Sequence, residues 1–226
     1  MEILYEDASI TVAVKPPELL SEQTADGKGF ADLLAVRNQN RYIGVIHRLD
    51  RGVGGVMVYA RTPKAAAKLS TAVQAHEVKK EYLAIVHGVP DQKIGEWRDL
   101  LFHDRMKNKT YVVDRTRRGV KEAILSYEVL ESREVAEYGM LSLVRVTLQT
   151  GRTHQIRVQF SSRGFPLLGD GKYGARDRSP IALWSHKLSF SHPDTKKELV
   201  FCKTPNGTPW ELLMLEKQRP EAVTNL

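Results

Sequence analysis

His47-Arg48-Leu49-Asp50-Arg51-Gly52-Val53-Gly54-Gly55 is the stretch on which the reading of this chain turns. It places one acid after a histidine and an arginine and just before a glycine-rich turn. An aspartate in such a turn commonly bonds its own backbone. Neither His47 nor Arg48 is needed for that, and a nearby guanidinium favours an ionised carboxylate. An ionised carboxylate serves as nucleophile or base. The glycines lack both the Gly-x-Gly-x-x-Gly spacing and the Walker lysine, so close backbone packing is expected there, not phosphate binding.

Working outward, residues 56–59 read as a strand leaving this segment. Thr62-Pro63 opens a helix, with Thr62 as N-cap and Pro63 at the first helical position, running to about His76. Upstream, residues 3–5 and 10–14 are short β-rich runs split by Glu6-Asp7-Ala8-Ser9, the pattern of a hairpin that Lys15-Pro16-Pro17 ends. Residues 30–36 form a short helix candidate with Phe30, Leu33 and Leu34 on one side. Downstream, strands are expected at 81–86, 123–130, 141–148, 182–190 and 198–202, and a helix at 153–162. Strands outnumber helices and several are adjacent, which favours hairpins over βαβ units. The predicted fold is α+β: a single domain over residues 1–226, with a mixed, mainly antiparallel sheet flanked by helices and loops.

The chain of 226 residues carries 34 Lys and Arg against 27 Asp and Glu, a net charge of +7, which points to a polyanionic partner. Much of that charge is local. Residues 103–121 hold Arg105, Lys107, Lys109, Arg115, Arg117, Arg118 and Lys121 against Asp104 and Asp114, with Tyr111-Val112-Val113 between them. This segment reads as a basic hairpin arm. The N-terminus lacks the pattern of a signal peptide, and no apolar run approaches the roughly 18 residues of a membrane helix. Cys202 is the only cysteine, so no internal disulfide forms and a cysteine-based zinc site is excluded, which fits a reducing cytosol. The histidines lack metal-ligand spacing, and no metal site is expected. Ser161, Ser162 and Ser185 lack a nucleophile-elbow context.

A second informative stretch is Gly151-Arg152-Thr153-His154-Gln155-Ile156-Arg157. Helical spacing puts Thr153, Arg157 and Ser161 on one face, with Ile156 and Phe160 on an adjoining apolar stripe. An arginine on a packed helix is held firmly enough to pair with a carboxylate.

At these residues the chain resembles the RluA family of pseudouridine synthases. The family's His-Arg-Leu-Asp segment matches residues 47–50. Its Lys-x-Tyr-x-Ala-x-Val-x-Gly strand is similar to Lys80-Glu81-Tyr82-Leu83-Ala84-Ile85-Val86-His87-Gly88. Its Gly-Arg-Thr-His-Gln-Ile-Arg-Val segment is present at residues 151–158, followed by a likeness to Gly-x-Pro-x-x-Gly-Asp-x-x-Tyr-Gly at 164–174. The late Ala-Leu-His-Ala strand corresponds to Ala182-Leu183-Trp184-Ser185. The resemblance spans about residues 3–213.

The resemblance implies that Asp50 is the catalytic aspartate, that Tyr82 stacks on the target base, and that Arg157 pairs with the aspartate. By the same likeness Leu183 lines the pocket and Arg48 helps hold RNA around a flipped nucleotide. The implied reaction isomerises uridine to pseudouridine in ribosomal or transfer RNA, without cofactor or metal. A cytoplasmic monomer that binds RNA, not DNA or membrane, is expected. No N-terminal RNA-binding domain is expected before the catalytic motifs. The basic arm is expected to meet the RNA backbone. Two alternatives stand beside this: a catalytically silent RNA-binding module of the same fold, and a hydrolase using Asp50. A retaining glycosidase needs a second nearby carboxylate, which these motifs are not expected to supply.

Three departures from the family pattern are visible. Asp-x-x-Thr-Ser-Gly becomes Asp50-Arg51-Gly52-Val53-Gly54-Gly55, Lys-Pro-x-Gly becomes Lys15-Pro16-Pro17-Glu18, and the histidine of Ala-Leu-His-Ala becomes Trp184.

Overall fold

A computed structural model of the chain describes residues 1–39 and 42–213. The end of the expected 1–226 domain, residues 214–226, lies outside the described residues. The chain divides into two compact units, one of Met1–Lys80 with Trp184–Thr204 and one of Glu81–Leu183 with the segment from Pro205.

In the first unit, β1 (Glu2–Glu6) and β2 (Ile10–Lys15) form the expected antiparallel hairpin. Asp7 makes its turn, its carboxylate accepting the N–H groups of Ser9 and Ile10 at 2.8 and 2.9 Å. Helix α1 spans Phe30–Arg37. It buries Phe30, Ala31 and Leu34, but Leu33 is 39% exposed, against expectation. At 3.6 residues per turn, Leu33 lies roughly 100° from the centre of that buried face.

The short strand β3 (Gly44–Val45) and β2 both pair antiparallel with β4 (Gly54–Ala60). Every residue of β4 is buried, as its unbroken run of small and apolar residues requires. Helix α2 (Pro63–Gln74) begins as predicted, Thr62 Oγ1 accepting Ala65 N–H at 3.1 Å, but stops short of His76. Strand β10 (Leu183–Ser191) runs parallel to β4 through Trp184 and Ser185, and β11 (Glu198–Cys202) is antiparallel to β10. The core of this unit is Ile10, Val12, Val56, Val58, Leu69, Val78, Leu188, Phe190 and Phe201. Each such side chain contributes about 1.5–3 kcal/mol on burial.

The second unit is built on strands in the order β5 (Lys79–His87), β9 (Gly139–Leu148), β8 (Val120–Val135), β6 (Ile94–Asp104) and β7 (Lys109–Val113). The ladders β6–β7, β6–β8 and β8–β9 are antiparallel. The basic arm is therefore the β6–β7 hairpin and the loop that returns to β8. Helix α3 spans Gln155–Ser161, shorter than predicted. His154 before it is left-handed at φ 54°, so Thr153 lies outside the helix and shares no helical face with Arg157. Ile156 and Phe160 are buried as expected, and Phe160 packs edge-on against Trp97 and Tyr127. Among the described residues no helix is long and apolar enough to cross a membrane.

Candidate active site

The two units each hold part of the expected site. In the first, Asp50 stands half-buried in a loop anchored from several sides. Ser21, fully buried, accepts the Leu49 N–H at 3.0 Å and donates to the Leu49 carbonyl at 2.9 Å. Tyr59 on β4 donates its hydroxyl to the Ser21 carbonyl at 3.1 Å. The Asp50 carbonyl accepts the Val53 N–H at 2.9 Å, closing the turn. His47 is buried, its Nε2 accepting the Val58 N–H at 3.2 Å, which puts the ring proton on Nδ1. Burial, with Lys80 adding to it, pushes the His47 pKa down to about 3, so this ring is a neutral structural pin.

Lys15 completes the anchorage. Its Nζ donates to the carbonyls of Pro16, Leu19 and Arg51 at 2.9, 2.7 and 3.3 Å, and none of the residue is exposed. Burial lowers its pKa to about 8, opposed by the charges of Glu18, Asp50 and Glu22. Arg48 is exposed and lies 3.7 Å from Glu22, so its local ion pair is with that acid.

The glycines after Asp50 have a structural explanation. Gly54 faces Trp184 across the parallel β4–β10 register. A Cβ on Gly54 would lie 2.9 Å from Trp184 Cε3, nearer still to Cζ3, and 3.0 Å from Pro17 Cδ. Gly55 has φ 123°, and a Cβ there would meet the Ser185 backbone nitrogen at 2.6 Å. Only glycine combines that backbone with that approach. Two departures from the family pattern, at 54 and at 184, are thus one packing arrangement. The third, Glu18, occupies a left-handed backbone at φ 68°, a conformation suited to the glycine of the family pattern.

In the second unit, Arg157 on α3 is held by an acid the sequence reading did not single out. Its Nε and Nη2 donate to Asp170 Oδ2 and Oδ1 at 2.7 and 2.8 Å. The two side chains are 11% and 1% exposed. Asp170 is a second acid inside the quoted 164–174 segment, contrary to the expectation that the motifs supply none. It is committed to Arg157 by a bidentate pair, the strong form of such contacts. The Arg157 guanidinium also lies 5.1 Å from the centroid of the Tyr173 ring. Tyr82 and Leu183 are both buried, each 6% exposed.

The basic side chains separate into two groups. Lys109 lies 5.3 Å from the Tyr173 centroid, which brings the turn end of the arm and Arg157 to the same ring. Arg117 stacks 4.7 Å from the Phe102 centroid, while Arg115 is 88% exposed. Arg105, Lys107, Arg118 and Lys121 are exposed as well. The residues missed by sequence reading, Lys15, Ser21, Asp170 and Tyr173, act on backbone or on other side chains. The 170–173 segment was quoted for its likeness, but no spacing signal tied it to Arg157.

Residues 9–162 match the family model described as RNA pseudouridylate synthase. The chain is 35% identical to the ribosomal large subunit pseudouridine synthase D of Pseudomonas aeruginosa, over 97% of its own length and 73% of that protein's. It is 31% identical to the ribosomal large subunit pseudouridine synthase C of Buchnera aphidicola, over 88% of its own length and 65% of that protein's. Among solved structures it resembles human RNA pseudouridylate synthase domain containing 4, with a TM-score of 0.72, 26% identity, and coverage of 90% of this chain and 88% of that one. The chain belongs to the RNA pseudouridylate synthase family, as an RNA-modifying isomerase.

Proposed function

We propose that this chain converts defined uridines of structured RNA to pseudouridine, with large-subunit ribosomal RNA the substrate its relatives' names favour and transfer RNA the alternative. The observation that carries the reading is the anchored acid. Ser21 and Lys15 bond the backbone on the two sides of Asp50, and Tyr59 in turn bonds Ser21, which holds a reactive group without reorganisation at the moment of reaction. The named relatives favour an enzyme over a silent RNA-binding module of the same fold.

The reaction breaks the bond from uracil N1 to the sugar and forms one from carbon 5. Carbon 5 loses its proton and N1 gains one, so no electrons or atoms are supplied from outside. The target nucleotide leaves its stack to reach the acid. The Asp50 carboxylate then attacks the anomeric carbon or removes the proton from the sugar's 2′ carbon. Addition to the base is the third route, and each needs the ionised form. Arg157 is assigned to pair with Asp50 and Tyr82 to stack on the base, a contact of about 1–3 kcal/mol. Leu183 lines the pocket and Arg48 meets the RNA beside it. Arg105, Lys107, Lys109, Arg115, Arg117 and Arg118 contact phosphates. We assign the enzyme to the cytoplasm and to a monomeric state.

Tritium release from carbon 5 of labelled uridine in a large-subunit ribosomal transcript tests this. Asp50→Asn is expected to abolish release while leaving RNA binding and the fold intact. Full release by that variant would refute the assignment, and free uracil as product would replace it with a hydrolase.

A further inference from the structure

Arg157 is clamped by residues that do not belong to its helix. Helix α3 has only seven residues, Gln155–Ser161, and an arginine side chain on it is long and flexible. Two contacts remove that freedom. The Asp170 carboxylate bonds Nε and Nη2 in the plane of the guanidinium, and the Tyr173 ring packs against it. Nη1 stays outside that bidentate pair.

Asp170 and Tyr173 come from one turn. The Tyr173 N–H donates to the Asp170 carbonyl at 3.0 Å, and the Ala175 N–H donates to the same oxygen at 3.1 Å. Gly169, just before, has φ 79°, and a Cβ there would meet the Pro180 carbonyl carbon at 2.5 Å. The turn is therefore fixed on its own account and presents both side chains together.

The same turn is bonded to the basic arm. Thr110 on β7 donates its backbone N–H to the Tyr173 hydroxyl at 2.7 Å. That hydroxyl also shares a hydrogen bond with His154 Nδ1 at 2.9 Å. The Thr110 side chain donates to the Thr153 carbonyl at 2.8 Å, so His103 Nδ1, 3.1 Å away, is the donor to the Thr110 oxygen. Strand β7 ends the strand order of this unit, laddered to β6, and Thr110 bonds it to Tyr173 and Thr153 as well.

We infer that Asp170 and Tyr173 are positioning residues that orient the Arg157 guanidinium, and that the Tyr173 hydroxyl ties this clamp to the turn end of the basic β6–β7 hairpin. The inference rests on the role proposed above for Arg157 in the reaction. RNA held along the arm thereby bears on the strand that fixes Tyr173, so phosphate contact and arginine placement are set by one bonded unit.

The test uses the full chain and two readouts. One is the Arg157 Nε–H resonance, whose slow exchange with water reports the bond to Asp170 without reference to activity. The other is single-turnover tritium release from uridine in a large-subunit ribosomal transcript, with RNA affinity measured separately. Asp170→Asn is expected to lose the slow resonance and to lower the saturated rate about 100-fold with RNA affinity retained. Tyr173→Phe keeps the ring, and is expected to retain the resonance and the saturated rate while weakening RNA affinity.

A slow Nε–H in Asp170→Asn overturns the clamp whatever the activity. Loss of the resonance with a native rate overturns the positioning role. In that case Arg157→Lys separates the causes: a native rate there means the reading of Arg157 itself has failed, and a lost rate means only the clamp has. Unchanged RNA affinity in Tyr173→Phe overturns the tie to the arm. Should Asp170→Asn not fold, Tyr173→Leu takes its place, with faster Nε–H exchange and a slower rate expected. A native rate in Tyr173→Leu overturns the proposal.

Discussion

Gly54→Ser is expected to destabilise this chain by about 2–3 kcal/mol, and Trp184→His to remove most of that penalty. In the family pattern the two positions are serine and histidine. Carbon atoms pack best at about 3.5–4.0 Å. A Cβ on Gly54 would sit 2.9 Å from Trp184 Cε3 and 3.0 Å from Pro17 Cδ, too near on two sides. The indole has little room to yield, because Trp184 Nε1–H donates to the Lys203 carbonyl at 2.7 Å and the strand register fixes Trp184 opposite Gly54. Turning the ring away sacrifices that bond, about 1 kcal/mol, and overpacking adds about 1–3 kcal/mol. Trp184→His alone leaves space above Gly54 and costs about 1–2 kcal/mol, less than a fully buried tryptophan would. In the double variant the serine fills that space. The double should therefore resemble Trp184→His alone, a coupling of about 2 kcal/mol. Urea unfolding of the four proteins measures it. Thermal melting gives a second measure, with Gly54→Ser lowering Tm by roughly 4–10 °C. Losses that add to within about 0.5 kcal/mol would refute a shared packing origin.

Lys15 gives a pH dependence with a definite sign. Its pKa falls from 10.5 to about 8 on folding, so between those values the unfolded chain binds the extra proton and stability rises with pH. Relative to Lys15→Met, the native chain should gain about 3 kcal/mol from pH 8 to 10.5 in urea titrations, and a flat difference would contradict the buried charge. His47 acts at the other end of the scale. With its pKa lowered from 6.5 to about 3, stability is lost as pH falls through that window, by up to about 1.4 kcal/mol per unit, and His47→Gln should flatten the acid limb. In the arm, changing Arg115, Arg117 and Arg118 together to glutamine should weaken RNA binding and reduce its salt slope by roughly 2–3. Binding unchanged at both low and high salt would remove the arm from the interface.

Local chemistry made much of the chain legible. Thr62-Pro63 marked a helix start because capping and proline geometry act within a few residues. The β1–β2 hairpin and strands β5, β8 and β9 followed from apolar runs between turn residues, whereas most of β6, over Ile94–Asp104, was not expected. The basic arm was visible as seven cations between residues 103 and 121. What misled was also local. Thr153 fits the helical spacing, yet the left-handed His154 excludes it from α3. Leu33 is as apolar as Leu34, but the eight-residue helix buries a narrower face.

The sequence by itself determined the family, through ordered motifs, and with it the proposal of Asp50 as the catalytic acid. It also determined the positive balance that points to a polyanionic partner, because charge is additive and needs no fold to be counted. Tertiary structure alone decided what holds the reactive groups. Lys15 reaches the Arg51 carbonyl from 36 positions away, Thr110 meets Tyr173 from 63, and Trp184 lies over Gly54 because β4 and β10 run side by side. Such contacts depend on strand register and on hydrogen bonds between distant segments. The glycines after Asp50 show the difference. In sequence Gly54 is a missing hydroxyl beside a glycine the family keeps, and in the folded chain the two leave the space that Trp184 and the Ser185 backbone occupy.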